Sequence, residues 1–134
     1  MTKRTLLESV TRSIELAAEG KISATQAFID AELHELLEVC NGCGSSQAKF
    51  DFVPDHIYGL WIGPICNVHD WDYSKGTTAA DKLRADLHML ENILRAIEAK
   101  SSRFLKKIRR IRALTYYQAV RDFGDKAFFG DGNG

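Results

Sequence analysis

Proline is nearly missing from this chain: Pro54 and Pro64 are the only two in 134 residues, and both fall in one middle stretch. Elsewhere no ring fixes φ or removes a backbone donor, so long helices are permitted. Cysteine is scarce and odd in number, three in all. That is a poor disulfide framework, and it leaves reduced thiols, one bridge or metal ligation open. No uninterrupted apolar run approaches membrane-spanning length. The start, Met1-Thr2-Lys3-Arg4-Thr5-Leu6-Leu7-Glu8, lacks the apolar core and small-residue cleavage site of a secretory signal. A chain made in a cytoplasm is therefore expected. An excess of one charge is lacking too, since 18 basic and 18 acidic residues cancel. The molecule as a whole has no charge-driven reason to seek nucleic acid or anionic lipid, and no nucleic-acid partner is expected.

What is present is an ordinary apolar content of 45%, enough for one domain with a core and too little length to expect two. The reading is a single all-α domain over 1–134: an N-terminal helical pair over 1–40, a core over 41–124 and a tail over 125–134. Leu6, Val10, Ile14 and Ala17 recur at helical spacing and stop at Gly20, which predicts a helix near 3–19. Ser23-Ala24-Thr25-Gln26 has the form of a capping box. A second helix is expected from there to about Val39, burying Ile29, Leu33, Leu36 and Leu37 and ending at Asn41-Gly42. From Asn41 to about Leu60 periodicity disappears. The segment still holds Phe50, Phe52, Val53, Tyr58 and Leu60, so it reads as a long ordered loop with a functional role. Three further helices are predicted near 61–74, 78–100 and 102–123, the second capped by Thr77 or Thr78 and the third stopped by Gly124. Phe128 and Phe129 are candidates to fold back from the tail.

One position on the 78–100 helix stands out. Ala79, Leu83, Leu90, Ile93 and Ile97 form an apolar stripe, and Asp86 occupies the remaining place in it. A core-facing carboxylate must find a donor or a cation, because unpaired burial costs several kcal/mol. On the preceding helix His69 and Tyr73 are four residues apart and share a face. Two antiparallel helices joined by a short turn would bring that face onto Asp86. Such a contact fixes the histidine tautomer and turns the other ring nitrogen toward water. A satisfied polar core contact accounts for the same three residues equally well. Asp70 points about a quarter turn away from His69, toward the 41–60 loop.

The string Cys66-Asn67-Val68-His69-Asp70-Trp71-Asp72-Tyr73 resembles the phospholipase A2 superfamily, with its cysteine, two residues, His-Asp, and tyrosine four positions after the histidine. Asp86 in Arg84-Ala85-Asp86 matches the aspartate that a second helix of that family supplies. Asn41-Gly42-Cys43-Gly44-Ser45-Ser46 and Phe50-Asp51-Phe52-Val53-Pro54 resemble the calcium-loop region of small bacterial members. The likeness is closest to short phospholipase-like proteins of bacteriophages and prophages, it covers about residues 41–129, and it implies a protein that is virion-associated or released on lysis. It implies hydrolysis of the sn-2 ester of a glycerophospholipid at a membrane surface. His69 would be the general base, Asp86 would support the imidazolium, and Tyr73 would hold Asp86. It also implies calcium, bound by Asp70 with carbonyls near Asn41, Gly42 and Gly44, and at most one family bridge, Cys43–Cys66. The sequence departs from the family before the histidine, where Gly59-Leu60-Trp61-Ile62-Gly63 replaces the usual glycine-rich calcium loop.

A rival reading claims the same histidine. Cys40-x2-Cys43 and Cys66-x2-His69 have the ligand types and spacings of a structural zinc site in a non-catalytic phage or prophage structural or interaction protein. Zinc explains neither Asp86 nor Tyr73. The last helix carries Arg103, Lys106, Lys107, Arg109, Arg110 and Arg112, read as a solvated face whose stems cover the core, with Phe104, Ile108, Ile111, Tyr116, Tyr117 and Val120 as core. Tyr117 is a possible second donor to Asp86. Trp61, Trp71, Phe50 and Phe52 flank the site as packing or as a lipid-facing rim, and His34, His56 and His88 have no distinguishing spacing.

Overall fold

Helical periodicity yields seven helices among the described residues, which in this computed structural model are 3–40 and 56–129. The expected all-α class is what the chain adopts, with one two-stranded hairpin as the exception. Helix α1 (Lys3–Ala18) ends where Gly20 takes φ +74°. A left-handed residue after the last turn lets the following N–H groups reach back, and Lys21 N–H bonds Leu16 O at 2.9 Å. The buried side of α1 is Val10 with Ser9 and Ser13, whereas Ile14 is 36% exposed. Small serines let the helix approach its neighbour closely and bond to it. Ser13 Oγ donates to Pro64 O at 2.8 Å, and Asn67 Nδ2 donates to Ser9 Oγ at 2.8 Å.

The second predicted helix is two short ones, α2 (Gln26–Asp30) and α3 (Leu33–Val39). The start falls at Thr25, whose side chain accepts from Phe28 N–H, and not at Ser23. Extended backbone at Ala31 and Glu32 breaks the run, and Glu32 with Glu35 forms a new capping box. The break rotates one half against the other. Phe28 and Leu36 are therefore buried, while Ile29 and Leu33, expected in the core, are exposed.

The end of the expected loop holds a hairpin of β1 (His56–Ile57) and β2 (Leu60–Trp61), antiparallel, with His56 opposite Trp61 and Ile57 opposite Leu60. Its two turn residues, Tyr58 and Gly59, both have positive φ, as the tight primed turns that match strand twist require. Residues 41–55, including Phe50 and Phe52, lie outside the described residues.

Helix α4 (Gly63–Lys75) starts with Pro64 in its first turn, where the missing N–H costs nothing, and is buried on nearly every side. Helix α5 (Ala79–Lys100) begins with a capping box in which Thr78 Oγ accepts from Asp81 N–H and Asp81 Oδ2 accepts from Thr78 N–H, both at 3.1 Å. The three residues between α4 and α5 form a tight turn, so the helices pack as an antiparallel hairpin. Helix α6 (Arg103–Phe123), capped by Ser102 and stopped at Gly124, packs on α5. Helix α7 (Asp125–Phe129) returns Phe128 against Tyr73, ring edge to ring face, at 5.1 Å between centroids. No helix among the described residues is long and apolar enough to cross a membrane.

Two expected stripes are corrected. On α5 the buried positions are Lys82, Ala85, Asp86, Met89, Asn92, Ile93 and Ile97, while Ala79 and Leu83 face out. On α6 Phe104 and Ile111 are 74% and 60% exposed, and the buried side carries Arg109, Ala113, Tyr116 and Val120. Arg109 faces inward because the β1–β2 hairpin leaves carbonyls to satisfy. Its Nε donates to Ile57 O at 3.1 Å and its Nη2 to Tyr58 O at 2.6 Å.

Candidate functional site

Asp86 is fully buried on α5 and accepts from four side chains. Its Oδ1 receives Tyr73 OH at 2.6 Å and His69 Nε2 at 2.8 Å, both from α4. Its Oδ2 receives Arg121 Nη1 at 2.9 Å from α6 and Lys82 Nζ at 3.1 Å from one turn back on α5. His69 and Tyr73 meet the same oxygen because residues four apart on a helix stack, and their ring centroids are 4.2 Å apart.

Burial alone pushes the Asp86 carboxyl up. The hydrogen bonds from His69 and Tyr73, the charge His69 carries when protonated and the bond from Lys82 outweigh it and hold the pKa at about 2. Asp86 is thus ionised at neutral pH and can only accept hydrogen bonds. His69 Nε2 must then carry the proton, which makes Nδ1 the basic nitrogen of the neutral ring. Burial, and then the bond to Asp86, push the Tyr73 phenol far above its usual range, so it stays a donor.

Lys82 is 2% exposed, and carboxylate alone does not satisfy its three protons. Its Nζ also donates to Val120 O at 3.0 Å and Arg121 O at 3.4 Å, at the end of α6 where the helix dipole is negative. Asp125, at the start of α7, lies 3.4 Å from the same ammonium. The carboxylate node therefore joins α4, α5 and α6, and Lys82 extends it to α7.

The three residues expected to act together, His69, Asp86 and Tyr73, are together. Lys82 and Arg121 were not foreseen, and Tyr117 makes no hydrogen bond to Asp86. Position alone signalled Lys82, which lies four residues before Asp86 on one helix face. Arg121 reaches it from a distant element with no local sequence signal. Asp70 is half-buried on α4, and the expected metal ligands Asn41, Gly42 and Gly44 lie outside the described residues. Among the described residues no three His, Cys, Asp or Glu side chains converge to hold a metal. Of the zinc-type set, Cys43 also lies outside the described residues. Cys66 is disulfide-bonded, and Cys40 is a buried thiol donating to Asn67 O at 3.3 Å. Burial first, and then the charge of Asp70, push the Cys40 thiol well above its usual range.

The hairpin carries a second, reciprocal pair that sequence reasoning missed. Asp72 on α4 and His88 on α5 are in contact, Oδ2 to Nδ1, at 2.7 Å. The bond to Asp72 outweighs burial and raises the His88 pKa. The signal was available in the register, since helices that place His69 on Asp86 also place residue 72 near residue 88. Trp71, the other flanking aromatic, is core, edge to face with Phe28 at 6.0 Å.

Comparisons with protein-family models, with curated proteins and with solved structures find no match to this chain.

Proposed function

We propose that this chain is a phospholipase A2-like esterase that hydrolyses the sn-2 ester of glycerophospholipids. The observation that carries the reading is the buried Asp86 with His69 Nε2 and Tyr73 OH on one oxygen, at 2.8 and 2.6 Å. In this role His69 Nδ1 takes a proton from the attacking water, and the ionised Asp86 stabilises the imidazolium that forms. Tyr73 fixes the carboxylate so that the imidazole keeps one orientation. The resemblance of Cys66, His69, Asp70 and Tyr73, with Asp86 on the next helix, to that superfamily supports the same assignment.

Calcium belongs to this proposal. Asp70, one residue from the base, is a hard oxygen donor of the kind calcium takes. It is the sole member of the expected ligand set among the described residues. Bound there, the ion would supply Lewis-acid stabilisation of developing negative charge. The substrate would be met at a membrane surface, by a protein of phage or prophage type.

One observation favours a non-catalytic structural or interaction protein instead. Lys82 and Arg121 load the second oxygen of Asp86, as a purely structural tie would. Release of labelled acyl chain from phosphatidylglycerol vesicles separates the two readings. The hydrolase reading expects release that needs added calcium, stops with a chelator and is lost in Asp70→Asn. No release by folded protein at any calcium concentration would leave the structural reading.

A further inference from the structure

A recess lies away from the His69–Asp86 site, with a volume of about 550 Å³. That falls within the roughly 300–1,000 Å³ of small-molecule pockets. Its floor is apolar: Leu16 of α1, Ile22 after it, Leu60 of β2 and Ile65 of α4. Ala96 and Ala99 of α5 line one side, and their small side chains leave the space open. Trp61 forms another wall. Gly63 permits that placement, because a Cβ there would lie 2.6 Å from the Trp61 indole nitrogen.

The rim is cationic. Arg12, Lys21, Arg95 and Lys100 line it, and among the described residues no aspartate or glutamate does. Arg12 and Lys21 have partial neutralisation from Glu15 at 4.0 Å and Glu19 at 3.4 Å. Arg95 and Lys100 have no carboxylate partner within ion-pair distance among the described residues. In a chain with no net charge, four cations around one apolar recess are a local asymmetry. An apolar hollow ringed by positive charge matches a ligand with an apolar chain and an anionic head. The planar fork of arginine matches a carboxylate in particular.

We infer that this recess binds a single-chain carboxylate amphiphile, with the acyl chain on Leu16, Ile22, Leu60 and Ile65 and the carboxylate among Arg12, Arg95 and Lys100. Neither His69, Tyr73 nor Asp86 lines it, so the inference goes beyond the hydrolase reading and does not rest on it. The test is calorimetric titration of the full chain with dodecanoate below its micelle-forming concentration, followed in parallel by Trp61 fluorescence. Saturable binding of one molecule per chain is expected, weakening as salt is added. Dodecanol should bind about tenfold more weakly, and Arg95→Ala with Lys100→Ala should weaken dodecanoate by about tenfold, as expected for two exposed charge contacts. Ala99→Trp, at an exposed position, should fill the hollow and abolish binding of both. His69→Gln should bind dodecanoate like the parent, which keeps this result independent of any activity. Equal binding of dodecanol and dodecanoate would overturn the proposal. So would full affinity in the double variant, or capture of anionic two-chain vesicles by a protein that ignores dodecanoate.

Discussion

Replacing Asp86 by asparagine keeps shape and removes one charge, and the structure sets the size of the loss. The carboxylate is fully buried, and its pKa lies at about 2 against an ordinary 3.8. At about 1.4 kcal/mol per tenfold change in acidity, folding favours the ionised form by about 2 kcal/mol. Substitution costs more than protonation. It strands Lys82, 2% exposed, with two carbonyls and the exposed Asp125 as remaining partners. It also sets an amide N–H₂ against groups that are themselves donors. Breaking a buried pair in this way costs about 3–5 kcal/mol. The sign with pH follows from a depressed pKa: the stabilisation is complete above pH 4 and is lost as pH falls toward 2. Urea denaturation of the parent and Asp86→Asn, followed by helical circular dichroism from pH 7 to pH 2, measures both parts. Carboxylates away from Lys82 contribute equally to the two proteins and cancel in the difference. The gap should be about 3–5 kcal/mol at neutral pH and should narrow by about 2 kcal/mol between pH 4 and pH 2. A gap under about 1 kcal/mol at neutral pH, or one that does not change with acid, would show that the Asp86 charge does not hold these helices together.

Arg109→Met should lower stability by about 2–3 kcal/mol in a thermal melt, because the Ile57 and Tyr58 carbonyls lose a buried charged donor; an unchanged midpoint would contradict that role for Arg109. In Gly76→Ala the new methyl would lie 2.8 Å from Phe128 Cε1 and 2.9 Å from Asp81 Cβ. A loss of about 1–3 kcal/mol is expected, and a smaller one when Phe128→Ala is also present; an unaltered denaturation midpoint would remove that contact. His88 is held above its ordinary pKa by Asp72, so its contribution to stability is complete below pH 6.5 and disappears as pH rises through the folded value. A ring-proton NMR titration should place His88 above 6.5, with the shift lost in Asp72→Asn; a His88 midpoint below 6.5 would contradict the pair.

The sequence was most legible where local chemistry decides the outcome. Gly20, Thr78, Ser102 and Gly124 bound helices close to where they were expected, because caps and stops act within a few residues. Asp86 was legible because a carboxylate amid Leu90, Ile93 and Ile97 demands a partner, and His69 and Tyr73 stood on the preceding helix to meet it. Faces were less legible. Leu83 and Ala79 completed a plausible stripe, yet α5 buries Lys82 and Ala85 there, since Lys82 can satisfy its charge on Asp86 and the end of α6. Phe104 and Ile111 are apolar and nevertheless exposed, because Arg109 takes the inward position to reach the hairpin carbonyls. Arg121 lies 35 residues from Asp86, and no periodicity links them. The break at Ala31 and Glu32 was hidden because the apolar spacing of 26–39 continues across it.

In the proposed hydrolase His69, oriented by Asp86, is the general base for ester hydrolysis. The most direct measurement uses a phospholipid with different acyl chains at sn-1 and sn-2, incubated with calcium and with either the parent or His69→Gln, the released acid being identified by mass. Release of the sn-2 chain alone by the parent is expected, with a loss of at least about a hundredfold in rate in a variant that still folds. Release at an undiminished rate by folded His69→Gln would contradict it.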